Sequence, residues 1–118
     1  MPELSLLENI KYFLFNDNIN EKMISDVLNK YELESFKSDL VRDFSSGMIK
    51  RSEIAIADLK NPKVLCIDEP RVYLDENGVD LLLNLITKRE KEGNSSILSS
   101  QESIGSFTSI ERSFNLND

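Results

Sequence analysis

The sequence predicts an α/β protein, all-helical over its first 44 residues and then strand–helix–strand with the two strands parallel. Three observations predict it. Residues 5–15 and 21–31 repeat apolar side chains at helical spacing. Residues 64–67 (VLCI) form an unbroken apolar run after an Asn-Pro break. Residues 76–92 form an amphipathic stretch closed by Gly93 and followed by a second short apolar run.

The elements follow in order. Leu6, Leu7, Ile10, Phe13 and Leu14 mark a helix over 5–15, and the turn-rich Asn16 to Asn20 ends it. Met23, Ile24, Val27, Leu28 and Tyr31 share one face of a helix over 21–31. A short third helix is expected over 32–38, and Asp39 to Phe44 leads into a Ser45-Ser46-Gly47 turn. Residues 47–59 read as a helix with Met48, Ile54 and Ala57 inward, stopped at Asn61-Pro62. Val64 to Ile67 reads as a strand buried on both faces, and Cys66 within it as a small buried hydrophobe. Val79, Leu82, Leu83 and Ile86 form the stripe of the 76–92 helix. Ser95 to Ser99 is the second strand, joined to the first by a right-handed crossover. Phe107 to Ile110 reads as a helix remnant and Arg112 to Leu116 as a last strand.

Composition narrows the function. The chain has 118 residues, enough for one small domain. Its 21 acids against 14 bases give a net charge of −7, which argues against a nucleic-acid partner. The absence of histidine excludes His-based triads and most zinc sites. One cysteine forms no internal disulfide. No apolar run approaches the roughly 18 residues that span a bilayer, and Met1-Pro2-Glu3 lacks the charged start of a signal peptide. Work at a membrane would therefore go through a docked partner.

The chemistry concentrates in residues 44–76, FSSGMIKRSEIAIADLKNPKVLCIDEPRVYLDE. A small-residue turn opening a helix (Ser45, Ser46, Gly47) offers backbone N–H groups and a hydroxyl to an anion. An ordinary N-cap by Ser45 or Ser46 accounts for the same residues. An apolar strand ending in Asp68 and Glu69 holds two carboxylates at the edge of a sheet where α/β ligand sites lie. Solvated acids at a strand end are the plain alternative. Asp75, seven residues after Asp68, stands where the next helix begins and also reads as its N-cap.

This order and spacing resembles the ATP-hydrolysing domains of ABC transporters, in which LSGGQ, a helix, a strand ending in DEP and an S-x-LD turn follow one another. The resemblance runs from Leu4 to about Asn115. It implies a partial P-loop NTPase fold of the ABC type, with a helical subdomain over 1–44 and the second half of the parallel-sheet nucleotide-binding core over 45–118. It implies Asp68 as the Mg²⁺-holding acid and Glu69 as the residue that polarises the attacking water. Ser45, Ser46 and Gly47 would contact the γ-phosphate of ATP held by an opposite subunit, and Asp75 would lie in the turn crossing that dimer interface. Gln101 stands where the family has a phosphate-sensing His, and it carries no positive charge.

Several departures accompany the resemblance. Ser46 and Met48 replace a Gly and a Gln of the signature. Ser52 and Glu53 stand where the family has small or apolar residues, and Ile56 where it has Arg, which implies Glu53 in a packed interface. None of the four glycines lies in the G-x-x-x-x-G-K-[ST] pattern that cradles phosphates, so this chain alone is expected to bind ATP poorly. Glu8-Asn9-Ile10 before Tyr12-Phe13, with residues 76–86, looks most like the haem-exporter ATPases of cytochrome c maturation.

The expectation is the C-terminal two-thirds of an ABC-type ATPase subunit, truncated or split. Its partners would be a transmembrane subunit and a second ATPase subunit or a fragment bearing the phosphate loop (the Walker A loop). It would sit peripherally at the cytoplasmic face of the inner membrane or its mitochondrial equivalent. A non-catalytic module docking on a membrane partner is the second expectation. An unrelated α/β regulatory domain would require the 44–76 block to be coincidence.

Overall fold

The structure, a computed structural model, describes residues 1–68 and 73–99, and for Asp68 and Ser99 the backbone alone. The element order is α1 (Leu6–Phe13), α2 (Glu21–Lys30), two short 3-10 turns (Glu34–Phe36 and Val41–Asp43), α3 (Ser46–Lys60), β1 (Val64–Asp68), α4 (Glu76–Lys91) and β2 (Ser95–Ser99). The expected tail elements at 107–110 and 112–116 lie outside the described residues.

Two compact units emerge, Met1–Lys60 and Asn61–Asp118. The first is helical. It includes α3, which packs on α2 and α1. The third helix expected over 32–38 is a single 3-10 turn, and a second such turn follows before α3.

Local chemistry fixes where α1 and α2 begin. The Ser5 hydroxyl accepts from the Glu8 N–H at 3.1 Å, while a Glu8 carboxylate oxygen accepts from the Ser5 N–H at 2.9 Å. The Ser5 N–H, and then its hydroxyl, hold the Glu8 carboxyl below its usual range. A depressed folded-state pKa gives stability that is present above the unfolded value of 4.5 and lost as pH falls through the folded one. We therefore expect Glu8→Gln to be less stable than the parent in urea at pH about 6, with the gap closing as pH falls below the ordinary carboxylate range. A gap that stays constant with pH would show that the carboxylate charge is irrelevant. At α2, the Asn20 side chain accepts from the Met23 N–H at 2.8 Å.

Leu6, Ile10 and Leu14 of the first segment are buried, as are Ile24, Leu28 and Tyr31 of the second. Phe13 and Met23, expected inward, are exposed at 50% and 39%. Tyr31 caps α2 and buries its ring completely. Its hydroxyl donates to Asp58 Oδ2 of α3 at 2.9 Å, and Lys30 Nζ pairs with the same oxygen at 2.8 Å. Burial first, and then the Asp58 charge, raises the Tyr31 hydroxyl far above its ordinary range.

The inward face of α3 is Ser52, Ile54, Ala55, Asp58 and Leu59. Ile54 is buried as expected, but Ala57 and Met48 are only half-buried. The face turned inward contains a buried carboxylate, which apolar spacing does not reveal. Glu53, expected in a packed interface, is exposed within this chain and pairs with Lys50 at 3.4 Å.

Ahead of α3 the N-terminal segment runs beside residues 37–42. Ser5 and Leu40 form an antiparallel bridge. Leu7 N–H donates to the Lys37 carbonyl at 2.9 Å, and Val41 N–H to the Leu4 carbonyl at 3.0 Å. These bonds satisfy backbone groups of a stretch with little regular structure and position the entry to α3.

The second unit begins where α3 stops, with Asn61 at φ 44, a left-handed value that Asn tolerates. β1 and β2 pair in parallel from Val64↔Ser95 to Asp68↔Ser99, and α4 packs against β2. Leu65 and Ile67 are buried while Val64 (54%) and Cys66 are exposed. This corrects two expectations: β1 is buried on one face only, and its thiol is not in a core. Among the described residues the alternation of strand side chains leaves 64 and 66 on the face that α4 does not cover.

The buried face of α4 is Gly78, Leu82, Leu85, Ile86 and Arg89. Val79 and Leu83, expected in the stripe, are half-buried. The helix is rotated so that Arg89, fully buried, reaches inward. Its Nε donates to Ser96 Oγ at 3.0 Å and Nη1 to Asn61 Oδ1 at 3.0 Å. Nη2 donates to the carbonyls of Pro62 at 2.8 Å and Ser95 at 2.7 Å. Gly93, at φ 81, ends the helix as expected.

Candidate nucleotide site

Ser45 precedes α3 and caps it. Its hydroxyl accepts from the Met48 N–H at 3.1 Å, and its carbonyl accepts from the Ile49 N–H at 3.0 Å. Ser45 and Ser46 are exposed and Gly47 is half-buried. A capping hydroxyl still has its own proton to donate. With no acid in its first turn, the amino end of this 15-residue helix keeps its favourable potential for an anion. Capping and anion contact are thus compatible at Ser45.

Asp68 is the last residue of β1, in register with Ser99 of β2. Both stand at the carboxyl ends of parallel strands, the edge where α/β folds hold ligands. Glu69 and Gln101 lie outside the described residues. Asp75 caps α4, its Oδ1 accepting from the Gly78 N–H at 2.7 Å. Just before it, Tyr73 is 65% exposed and adopts φ 71, an uncommon conformation for an aromatic residue. Gly78 leaves room for this close cap, since a Cβ there would sit 2.9 Å from Leu74 Cδ2 and 3.0 Å from Asp75 Oδ1.

The sequence-predicted residues therefore fall into two groups. Ser45, Ser46 and Gly47 form one continuous helix start in the first unit. Asp68 and Asp75 flank the β1–α4 connection in the second. Among the described residues no three His, Cys, Asp or Glu side chains gather as a metal cluster. One carboxylate at a strand end fits Mg²⁺ all the same, because that ion takes few protein oxygens and completes its shell with phosphate and water. The sequence reading missed Arg89 and Asp58, which hold the units that carry these residues. A charged residue lying on an apolar stripe was the available signal for Arg89.

A helical unit leading into a capped small-residue helix start, then a parallel strand ending in an acid and a capped helix behind it, defines part of an ATP-binding cassette. Residues 1–72 match the family model described as ABC transporter. The chain belongs to the ABC transporter family. It is 35% identical over 109 residues to the lantibiotic transport ATP-binding protein SrtF of Streptococcus pyogenes, covering 88% of this chain and 48% of that protein. It is 31% identical over 107 residues to the cytochrome c biogenesis ATP-binding export protein CcmA of Histophilus somni, covering 89% and 49%. Among solved structures it superposes on the ATP-binding cassette MJ0796, a dimer bound to ADP and Pi. The TM-score is 0.77 at 25% identity, covering 96% of this chain and 52% of that one. The chain spans about half the length of the curated relatives it matches. No helix among the described residues is long and apolar enough to cross a membrane.

Proposed function

We propose that this chain supplies the signature-and-acid half of an ABC ATPase that couples ATP hydrolysis to transport. The observation that carries the reading is the order within residues 45–75: a Ser45-capped helix start, β1 ending at Asp68, and α4 capped by Asp75. In this reading the Ser45 hydroxyl and the Ser46 and Gly47 N–H groups meet the terminal phosphate of ATP bound by a second ATPase subunit. Asp68 holds Mg²⁺, Glu69 orients the attacking water and takes its proton, and Gln101 contacts the phosphate as a neutral hydrogen-bonding group. Mg²⁺, when bound, neutralises charge on the phosphate oxygens. Asp75 positions the turn between the two subunits. A transmembrane subunit docks on the helical unit, and the assembly sits peripherally at the cytoplasmic face of the inner membrane or its mitochondrial equivalent.

Haem export for cytochrome c-type biogenesis is the finer proposal, supported by the 8–13 and 76–86 segments and by the likeness to CcmA. The likeness to SrtF supports lantibiotic export instead. Co-purification with haem-export or peptide-export membrane subunits separates the two.

A second reading, an inactive module that docks without hydrolysis, is favoured by Gln101 in place of a charged sensor. The test is the melting temperature with Mg-ATP, for the chain alone and mixed with a fragment bearing a phosphate loop. A shift only in the mixture, lost in Ser45→Arg, with hydrolysis lost in Glu69→Gln, supports the ATPase reading. No shift in either sample supports the inactive module.

A further inference from the structure

Asn77-Gly78 is the one Asn-Gly pair in the chain, and it lies in the first turn of α4. Asn77 is exposed and Gly78 is buried. The Gly78 N–H donates to Asp75 Oδ1 at 2.7 Å. The closeness of this cap requires Gly at 78, because a Cβ there would lie 2.9 Å from Leu74 Cδ2 and 3.0 Å from Asp75 Oδ1. The cap thus places after Asn77 the residue that shields its own peptide nitrogen least. Tyr73, two residues before Asp75, holds a left-handed φ of 71 that is unfavourable for an aromatic side chain, and opening of the turn relieves it.

An Asn side chain followed by an unshielded amide closes on itself when the backbone allows. The Gly78 nitrogen attacks the side-chain carbonyl carbon of Asn77 and forms a C–N bond. The Asn77 amide nitrogen leaves as ammonia, taking the proton that Gly78 gives up. Water then opens the five-membered succinimide at either carbonyl. One opening leaves Asp at 77, and the other leaves an isoaspartyl link that runs the main chain through the side chain. Water enters and ammonia leaves, so the step needs no other reactant. Two features of the folded chain oppose it. A helical ψ at 77 holds the Gly78 nitrogen out of line with the carbon it must reach. The Asp75 carboxylate also holds the hydrogen that this nitrogen must lose. We propose that Asn77-Gly78 is a self-deamidation site gated by the Asp75 cap, closed while Oδ1 holds the Gly78 N–H and reactive when the first turn of α4 opens. The isoaspartyl product adds a methylene to the chain between Asp75 and Gly78, which misplaces the capping bond and makes the opening one-way. The aspartyl product adds an acid beside Asp75, Glu76 and Asp80.

The test uses the full chain without nucleotide, so it stands apart from the ATPase reading. The chain is incubated at mildly alkaline pH, and the tryptic peptide of residues 72–88 is followed by fragmentation mass spectrometry. Enzymatic methylation scores isoaspartate. Asp75→Ala is expected to speed modification of Asn77 by about fivefold, the rise in open population when a helix loses its N-cap. Asp75→Ser keeps a capping oxygen and stays near the parent rate. In urea, where no cap exists, the parent and Asp75→Ala react equally and faster than the folded parent. Tyr31→Phe, which weakens the first unit, leaves the folded rate unchanged. The parent alone gives a second measurement that no failed variant disturbs: its slowing from urea to buffer matches the hydrogen-exchange protection of the Gly78 N–H. Four outcomes overturn the proposal. They are equal folded rates in the parent and Asp75→Ala, the same rate ratio persisting in urea, equal speeding by Tyr31→Phe, and a protected Gly78 N–H beside an Asn77 that reacts as fast as in urea.

Discussion

Arg89→Ala lowers the unfolding free energy by about 3–5 kcal/mol, the largest effect expected of any single change described above. The guanidinium is fully buried and its acceptors among the described residues include Ser96, Asn61, Pro62 and Ser95, around the strand starts. Removing it leaves a void and orphans the buried acceptors it served, each of which was desolvated on folding. Arg89→Met restores much of the volume but none of the donors, so it stays well below the parent. Arg89→Lys keeps a charge but loses the planar fork that reaches two carbonyls and an amide at once, and it falls between. Urea unfolding followed by far-UV circular dichroism measures all three. An Arg89→Ala variant within about 0.5 kcal/mol of the parent would sink this account of the second unit.

Asp58→Ala is the second large effect, about 3 kcal/mol in the first unit. Asp58 is the shared acceptor of the Tyr31 hydroxyl and the Lys30 ammonium, and its side chain is only 5% exposed. Without it, the buried Tyr31 hydroxyl loses its partner and α2 loses a tie to α3. Tyr31→Phe costs less, about 1 kcal/mol, because Lys30 still pairs with the carboxylate. The two changes act through one hydrogen bond, so the double variant should cost less than the sum of the singles. Strict additivity would show that the hydroxyl and the carboxylate contribute independently.

These two side chains also mark where sequence reasoning ends. Caps at Ser45, Asp75 and Gly93 were legible because they are local and act over a few residues, whereas the equally local pairing of Ser5 with Glu8 was not read. Element order and strand pairing were legible from apolar period and turn residues. What escaped was rotation about a helix axis. Apolar spacing gave Val79 and Leu83 to the stripe of α4, but the helix turns to bury Arg89, whose value lies in partners 28 and 27 residues away along the chain. Asp58 was missed in the same way, since its partner Tyr31 lies on another helix. Cys66 was placed in a core because a continuous apolar run reads as a doubly covered strand, whereas here one face is open. At the candidate site, Ser45 and Asp75 were legible in type and place, and the structure adds the capping bond each makes.

Arg89 ties the carbonyl of Pro62, ahead of β1, to the first residues of β2. All of these attachments lie at the amino ends of the two strands, whereas Asp68 and Ser99 lie at the opposite ends. Among the described residues the guanidinium thus pins the sheet at the strand ends away from Asp68, like a pin through one end of two parallel slats. Sliding one strand along the other would break its bonds, so the alignment that sets Asp68 level with Ser99 is guarded from the opposite end of the sheet.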